Sequence, residues 1–117
     1  MAVNVHDLVK KRALVTRESA TVIRDILAQA FNESEPELVL DLTGIDAVTP
    51  SFVDEALSFV EASLRDPSVN PRRVVFLNPP TRLSSKFAAI GRGRGLVFSE
   101  TEEGSWIVER AAAESAH

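Results

Sequence analysis

At 117 residues, 44% hydrophobic and 26% charged, the chain has the length and residue mix of one globular domain. It contains no cysteine, which excludes disulfides, zinc–thiolate sites and cysteine nucleophiles. The formal charge of −4 gives no general reason to expect nucleic acid or an anionic membrane as partner, and no apolar run approaches the roughly 18 residues of a membrane span.

The first fifteen residues lack a signal-peptide core, so the expected location is cytoplasmic. The charge is unevenly spread. Residues 37–64 carry six acids and no base, residues 65–94 carry seven bases and one acid, and residues 95–117 carry five acids and one base. Two readings follow: an ordinary solvated surface, or an acidic face beside a basic one that steers a charged protein partner.

In chain order, Val3–Val9 alternates as a strand does, with Val3, Val5 and Leu8 inward. Lys10–Arg12 suits a turn, and Leu14-Val15 reads as a short strand pairing back on the first. Thr16 is a helix cap with Glu18 in the first turn, and Ala20, Ile23, Ile26, Leu27, Ala30 and Phe31 form one stripe of an amphipathic helix. Residues 32–36 stop that helix. Leu38–Leu42 is a near-continuous apolar run, as in a covered central strand. It carries Asp41 and is followed by Gly44 and a short connection, Ile45–Val48. Thr49 then caps a helix with Pro50 at its first position, where a missing N–H costs nothing. This helix extends to about Arg65 and buries Phe52, Ala56 or Leu57, Phe59, Val60 and Leu64.

Residues 66–72 read as a loop. Arg73–Leu77 is a second core strand ended by Asn78-Pro79-Pro80. Thr81 caps a shorter helix carrying Leu83, Phe87 and Ile90, and the glycines of 91–95 end it. Leu96–Ser99 and Ser105–Glu109 are two further strands, and residues 111–117 are a frayed tail. The order β-β-α-β-α-β-α-β-(β) predicts an α/β fold in one domain, residues 1–110. Its mixed sheet has central parallel strands and an antiparallel edge, with helices mainly on one face.

Val39-Leu40-Asp41-Leu42-Thr43-Gly44-Ile45, then Thr49-Pro50-Ser51-Phe52, then Leu77-Asn78-Pro79, resembles the STAS superfamily of anti-sigma factor antagonists and sulfate-transporter tails. Those domains share a V-L-D-L-S-G-V strand, a D-S-S-G-like helix start and a strand ending in N-P. The S-F-x-D-E start at Ser51–Glu55 looks like the uncharacterised STAS-like branch. The resemblance implies a non-catalytic regulatory module of bacterial signalling, docking a kinase-like ATPase or an anti-sigma-type regulator. In such antagonists the first serine of D-S-S-G accepts phosphate. Aligned without gaps, that position is Pro50, which has no hydroxyl, so Ser51 and Thr49 are the remaining candidate phospho-acceptors. A phosphate at a helix start is favoured by free N–H groups, while a cap or solvent-facing hydroxyl is the plainer role. The docking residues implied are Asp46, Thr49, Ser51, Asp54, Glu55, Asn78 and Arg82.

Other constellations carry less chemistry. Asp41, Asp46, Asp54 and Glu55 gather near one corner in sequence, yet no histidine stands near them. Asp54 and Glu55 also suit the helix dipole. His6, read inside the first strand, and His117 lack a base–orienter pair, so no enzyme is expected and no cofactor or metal is implied. Gly91–Gly95 follows a helix, not a strand, which is the wrong order for a phosphate loop. Arg92 and Arg94 there are expected to face a partner's acids. Trp106 is expected in core or edge packing. The alternative function is a nucleotide or small-ligand sensor using the same corner. A homodimer remains open.

Overall fold

In the computed structural model, which describes residues 2–10, 13–14, 18–32, 37–64 and 73–110, alternation decides which side of each strand is covered. β3 (Glu37–Asp41), β5 (Arg73–Leu77), β6 (Leu96–Glu100) and β7 (Trp106–Arg110) each bury every second residue. The buried set is Leu38, Leu40, Val74, Phe76, Leu96, Phe98, Trp106 and Val108. With β1 (Ala2–Asn4) they form one five-stranded sheet in the order β1-β3-β5-β7-β6. β1, β3 and β5 are parallel, β7 is antiparallel to β5, and β6 is antiparallel to β7. The predicted mixed sheet with parallel centre is therefore present.

The helices supply the other half of the core. α2 (Thr21–Asn32) buries Ile26, and the 3-10 turn before it at Glu18–Ala20 buries Ala20. α3 (Pro50–Leu64) buries Phe52, Val53, Ala56, Leu57, Val60 and Leu64, while Phe59 is only half-buried. α4 (Ser85–Gly93) contributes Phe87. These residues and the buried strand residues make one cluster, which places the helical layer on one sheet face. Burying each large apolar side chain in it stabilises the fold by about 1.5–3 kcal/mol before entropy is counted.

Within the cluster, Trp106 meets Phe76, Phe87 and Phe98 edge-on, with ring centroids 6.1, 5.8 and 5.6 Å away. Gly91 lies inside α4, not after it. A Cβ there would stand 2.9 Å from Phe98 Cβ, so the missing side chain is what lets α4 sit down on β6. The GRGRG segment is in this respect a packing device, and its turn follows at Arg94-Gly95.

Three sequence expectations are corrected. The strand predicted over Val3–Val9 ends at Asn4, and α1 (Val5–Val9) begins there. Asn4 caps it by accepting from Asp7 N at 2.9 Å, and this local bond overrides the alternating pattern. His6 is therefore helical. β2 (Ala13–Leu14) does not pair with β1. It pairs in parallel with β4 (Ala47–Val48), a strand unseen in the predicted connection. α4 is capped by Ser84, whose Oγ accepts from Phe87 N at 3.1 Å; Thr81 and Leu83 precede it. The readings of the 11–12 turn, the Thr16 cap, the 33–36 stop, the 66–72 loop and the 111–117 tail lie outside the described residues.

Candidate functional site

The carboxyl ends of β3 and β5 are adjacent, because Asp41 pairs with Leu77. Past that point the chain closes on itself through side chains. Asp41 Oδ1 accepts from Thr43 N at 2.9 Å and from Thr43 Oγ1 at 2.6 Å, the turn expected of Asp two residues before a bonded amide. Asn78, held in the left-handed region at φ 55°, donates from Nδ2 to Thr43 Oγ1 at 3.0 Å. Leu42 N donates to Leu77 O at 2.7 Å. The Thr43 hydroxyl and amide hold the Asp41 carboxyl below its ordinary pKa.

Gly44 follows at φ 95°, and an added Cβ would meet His6 Cγ at 3.0 Å. His6 thus covers the turn after β3, a position its sequence neighbourhood does not reveal. Ile45 is buried, Asp46 is exposed, and β4 leads to Thr49. The Thr49 hydroxyl accepts from Phe52 N at 3.3 Å and its carbonyl from Val53 N at 3.0 Å, so Thr49 is the predicted cap, with Pro50 first in α3. Ser51 is exposed beside it.

On the other side of the corner, Arg82 makes a two-pronged ion pair with Glu100, at 2.9 and 3.0 Å. Glu100 also accepts from Leu83 N at 3.0 Å. The Arg82 guanidinium and this amide lower the Glu100 pKa. The segment 78–84 is pinned at both ends, by Thr43 and by Glu100.

Two open clefts flank it. One, of about 420 Å³, lies between Asn78–Arg82 and the Glu102–Gly104 turn. The other, of about 340 Å³, lies between Asp46–Val48 and Pro80–Ser84, with Phe87 at its base. Of the docking residues expected from sequence, Asn78 lines the first, Asp46 the second and Arg82 both. Ser51 and Thr49 line neither of these two clefts. Asp54 points elsewhere: it accepts from Arg94 Nη2 at 2.9 Å, and Glu61 takes Arg94 Nη1 at 3.3 Å.

Asp41, Asp46 and Asp54 thus lie in three different settings, and among the described residues no group of three His, Cys, Asp or Glu side chains suits a metal ion. Arg94 pairs with Asp54 and Glu61 of its own chain. Of the basic run, Arg73, Arg82 and Arg94 each pair with acids from the flanking segments. Sequence reading gave Thr43 and the Glu102–Gly104 turn no part in the site and passed over Glu100. Thr43 stood in the D-L-T-G pattern and Glu102-Glu103-Gly104 in the break between the last two strands; Glu100 carried no signal.

Residues 19–60 match the family model of a STAS-like domain of unknown function (DUF4325). That stretch of the chain is STAS-like. It runs from the 3-10 turn through α2, β3 and β4 to Val60 in α3, and so contains both the Asp41–Gly44 turn and the Thr49-Pro50-Ser51 helix start. The Asn78-Pro79 end of β5 lies beyond the matched stretch. No curated protein and no solved structure matches the chain. No helix among the described residues is long and apolar enough to cross a membrane. The STAS-like stretch thus supplies one wall of the second cleft, and the β5–α4 segment supplies the other.

Proposed function

We propose that this STAS-like domain is a non-catalytic interaction module of signalling, docking a kinase-like ATPase or anti-sigma-type protein at the β3–α3 corner. The observation that carries the reading is the pinned 78–84 segment with a cleft on each side. A surface held by Asp41–Thr43–Asn78 and Arg82–Glu100 is preorganised, so a partner binding there orders little new structure. The docking residues are Asp46, Thr81 and Arg82, with Asn78 serving as a strut. Ser51 is the exposed hydroxyl at the α3 start and the better placed phospho-acceptor of the two, because Thr49 is engaged in capping.

The nucleotide-sensor reading has less support. Glu102 and Glu103 line the larger cleft and the Arg82 charge is already met by Glu100, so a phosphate finds a poor field there. Titration against a kinase-like ATPase from the same genome tests the proposal. Binding weakened by Asp46→Lys and Thr81→Trp, with thermal stability kept, supports it. Undiminished binding would place the contact elsewhere. Incubation with ATP and that kinase, followed by mass spectrometry, tests Ser51; phosphate elsewhere, or none, removes the switch.

A further inference from the structure

The larger of the two clefts has a chemistry of its own, set by which polar groups of its walls the fold has already used. Along one wall, Pro79 and Pro80 have no N–H to offer. Asn78 Nδ2 donates to Thr43 Oγ1 at 3.0 Å. The Arg82 guanidinium donates to Glu100 at 2.9 and 3.0 Å, and the Leu83 amide donates to the same carboxylate at 3.0 Å. In the facing turn, Thr101 N donates to Ser105 O at 2.8 Å, Gly104 N to Thr101 O at 3.0 Å and Ser105 N to Thr101 Oγ1 at 3.1 Å. Most donors are thus consumed within the chain. The strongest acceptors are not. Glu102 and Glu103 line the cleft, are exposed, and take no hydrogen bond or ion pair among the described residues. Both walls belong to the continuous described run 73–110.

We infer that this cleft receives a lysine or arginine side chain of a partner protein, its charged head at Glu102 and Glu103 and its stem along Pro79-Pro80. The inference rests on the docking reading above and names the chemistry the partner brings. Ammonium and guanidinium groups donate and do not accept, so they match a lining rich in acceptors and poor in free donors. Charge agrees. Arg82 and Glu100 offset each other, which leaves the two free carboxylates as the net charge of the cleft.

Shape and rigidity point the same way. The opening of about 420 Å³ lies in the range of clefts that hold a ligand group, about 300–1,000 Å³. A bare metal ion is a poorer fit, because no group of three His, Cys, Asp or Glu side chains among the described residues suits one. Proline faces suit a stem that buries its methylenes while the charge stays wet. Both walls are fixed beforehand, one by Thr43 and Glu100 and the other by the three hydrogen bonds of its turn, so little is ordered on binding.

Amide-resolved NMR on the full chain provides the test. The probe is a glycine–serine peptide with one central arginine; its twin carries citrulline, similar in shape and uncharged. The arginine peptide is expected to shift the amides of Thr81, Glu102, Glu103 and Gly104 and to leave those of Val53 and Val60 in place. The citrulline twin, and the arginine peptide on a Glu102→Gln/Glu103→Gln variant, are expected to bind about threefold more weakly. Both glutamates are exposed and unpaired, so the variant should melt with the parent. Equal response to both peptides, unchanged binding by the variant, or no shift would overturn the inference. So would calcium chloride alone moving the same amides at micromolar concentration, since that would make the cleft a metal site. Titration of the kinase-like ATPase separates the two readings. Binding weakened by Asp46→Lys but untouched by the double glutamine variant keeps the docking corner and removes this inference. A peptide seated in the cleft, with ATPase binding indifferent to Asp46→Lys, keeps the cleft and removes the corner.

Discussion

Asn78 and Thr43, 35 residues apart in the chain, meet through a 3.0 Å hydrogen bond that joins the ends of β3 and β5. Because Thr43 Oγ1 donates to Asp41 while accepting from Asn78, the three side chains act as one unit. The unit sets where the 78–84 segment leaves the sheet, and with it the width of both clefts.

The Asp41 carboxyl is the charged member of that unit, so its contribution depends on pH. Its folded pKa lies below the unfolded value, which for Asp is about 3.9. The stabilisation is therefore complete above the unfolded value and is lost as pH falls through the folded one. Asp41→Asn is expected to cost about 1 kcal/mol at neutral pH, with the difference from the parent shrinking below about pH 4. Urea unfolding at pH 7 and pH 3 checks this. An equal gap at both values would mean that the carboxylate charge is irrelevant.

Two glycines of α4 are expected to respond in opposite directions. Gly91→Ala gains helix propensity of about 1 kcal/mol but drives a methyl into Phe98, and overpacking costs about 1–3 kcal/mol. A net loss, with a lowered midpoint, is expected. Gly93→Ala meets nothing within 4 Å and should stabilise by about 0.5–1 kcal/mol. Denaturant midpoints of the pair decide it; two gains would refute close α4–β6 packing.

Trp106 offers a test of the aromatic core. Its Nε1 is buried with no acceptor among the described residues, which costs about 1–3 kcal/mol. Trp106→Phe gives up apolar contact but also removes that donor, so a net change within about 1.5 kcal/mol is expected. Trp106→Ala opens a cavity among three phenylalanines and should cost about 3–5 kcal/mol. If the two variants were equally damaging, the indole N–H would have to be satisfied.

The two hydroxyls at the start of α3 are separable by stability. Thr49→Ala removes a cap and should cost about 1 kcal/mol, whereas Ser51→Ala, on an exposed position, should stay within about 0.5 kcal/mol. Thermal melts distinguish them. Ser51→Ala then reports on phosphate transfer without a folding effect to correct for, and a large loss on Ser51→Ala would give that hydroxyl a structural role.

What could be read from the sequence follows the reach of each interaction. β3, β5 and α3 were legible because continuous apolar runs, Thr49 and Pro50 act within a few residues. The Val3–Val9 stretch was misread because its alternation is real up to Asn4, where one side-chain bond to Asp7 turns the chain into α1. β2 was read as a short strand but given the wrong neighbour, and β4, two residues long, has no pattern to read. At the site, Asp41-Leu42-Thr43-Gly44 announced its turn, while Glu100 is 18 residues from Arg82 and gave no local sign. Pairings of that kind come from the topology.

The sheet order carries a consequence for how the molecule is made. Glu37 pairs with Arg73, and Arg73 pairs with Glu109, each across 36 positions. Among the described strands, only the β6–β7 ribbon joins neighbours in the chain. Closing loops of that length must precede most of the pairing reward, which slows folding. On the ribosome, β5 has β3 behind it but gains its second neighbour only when β7 has emerged. Until then Val74 and Phe76 lie at a raw edge, and the nascent chain is most exposed to aggregation between the emergence of β5 and that of β7.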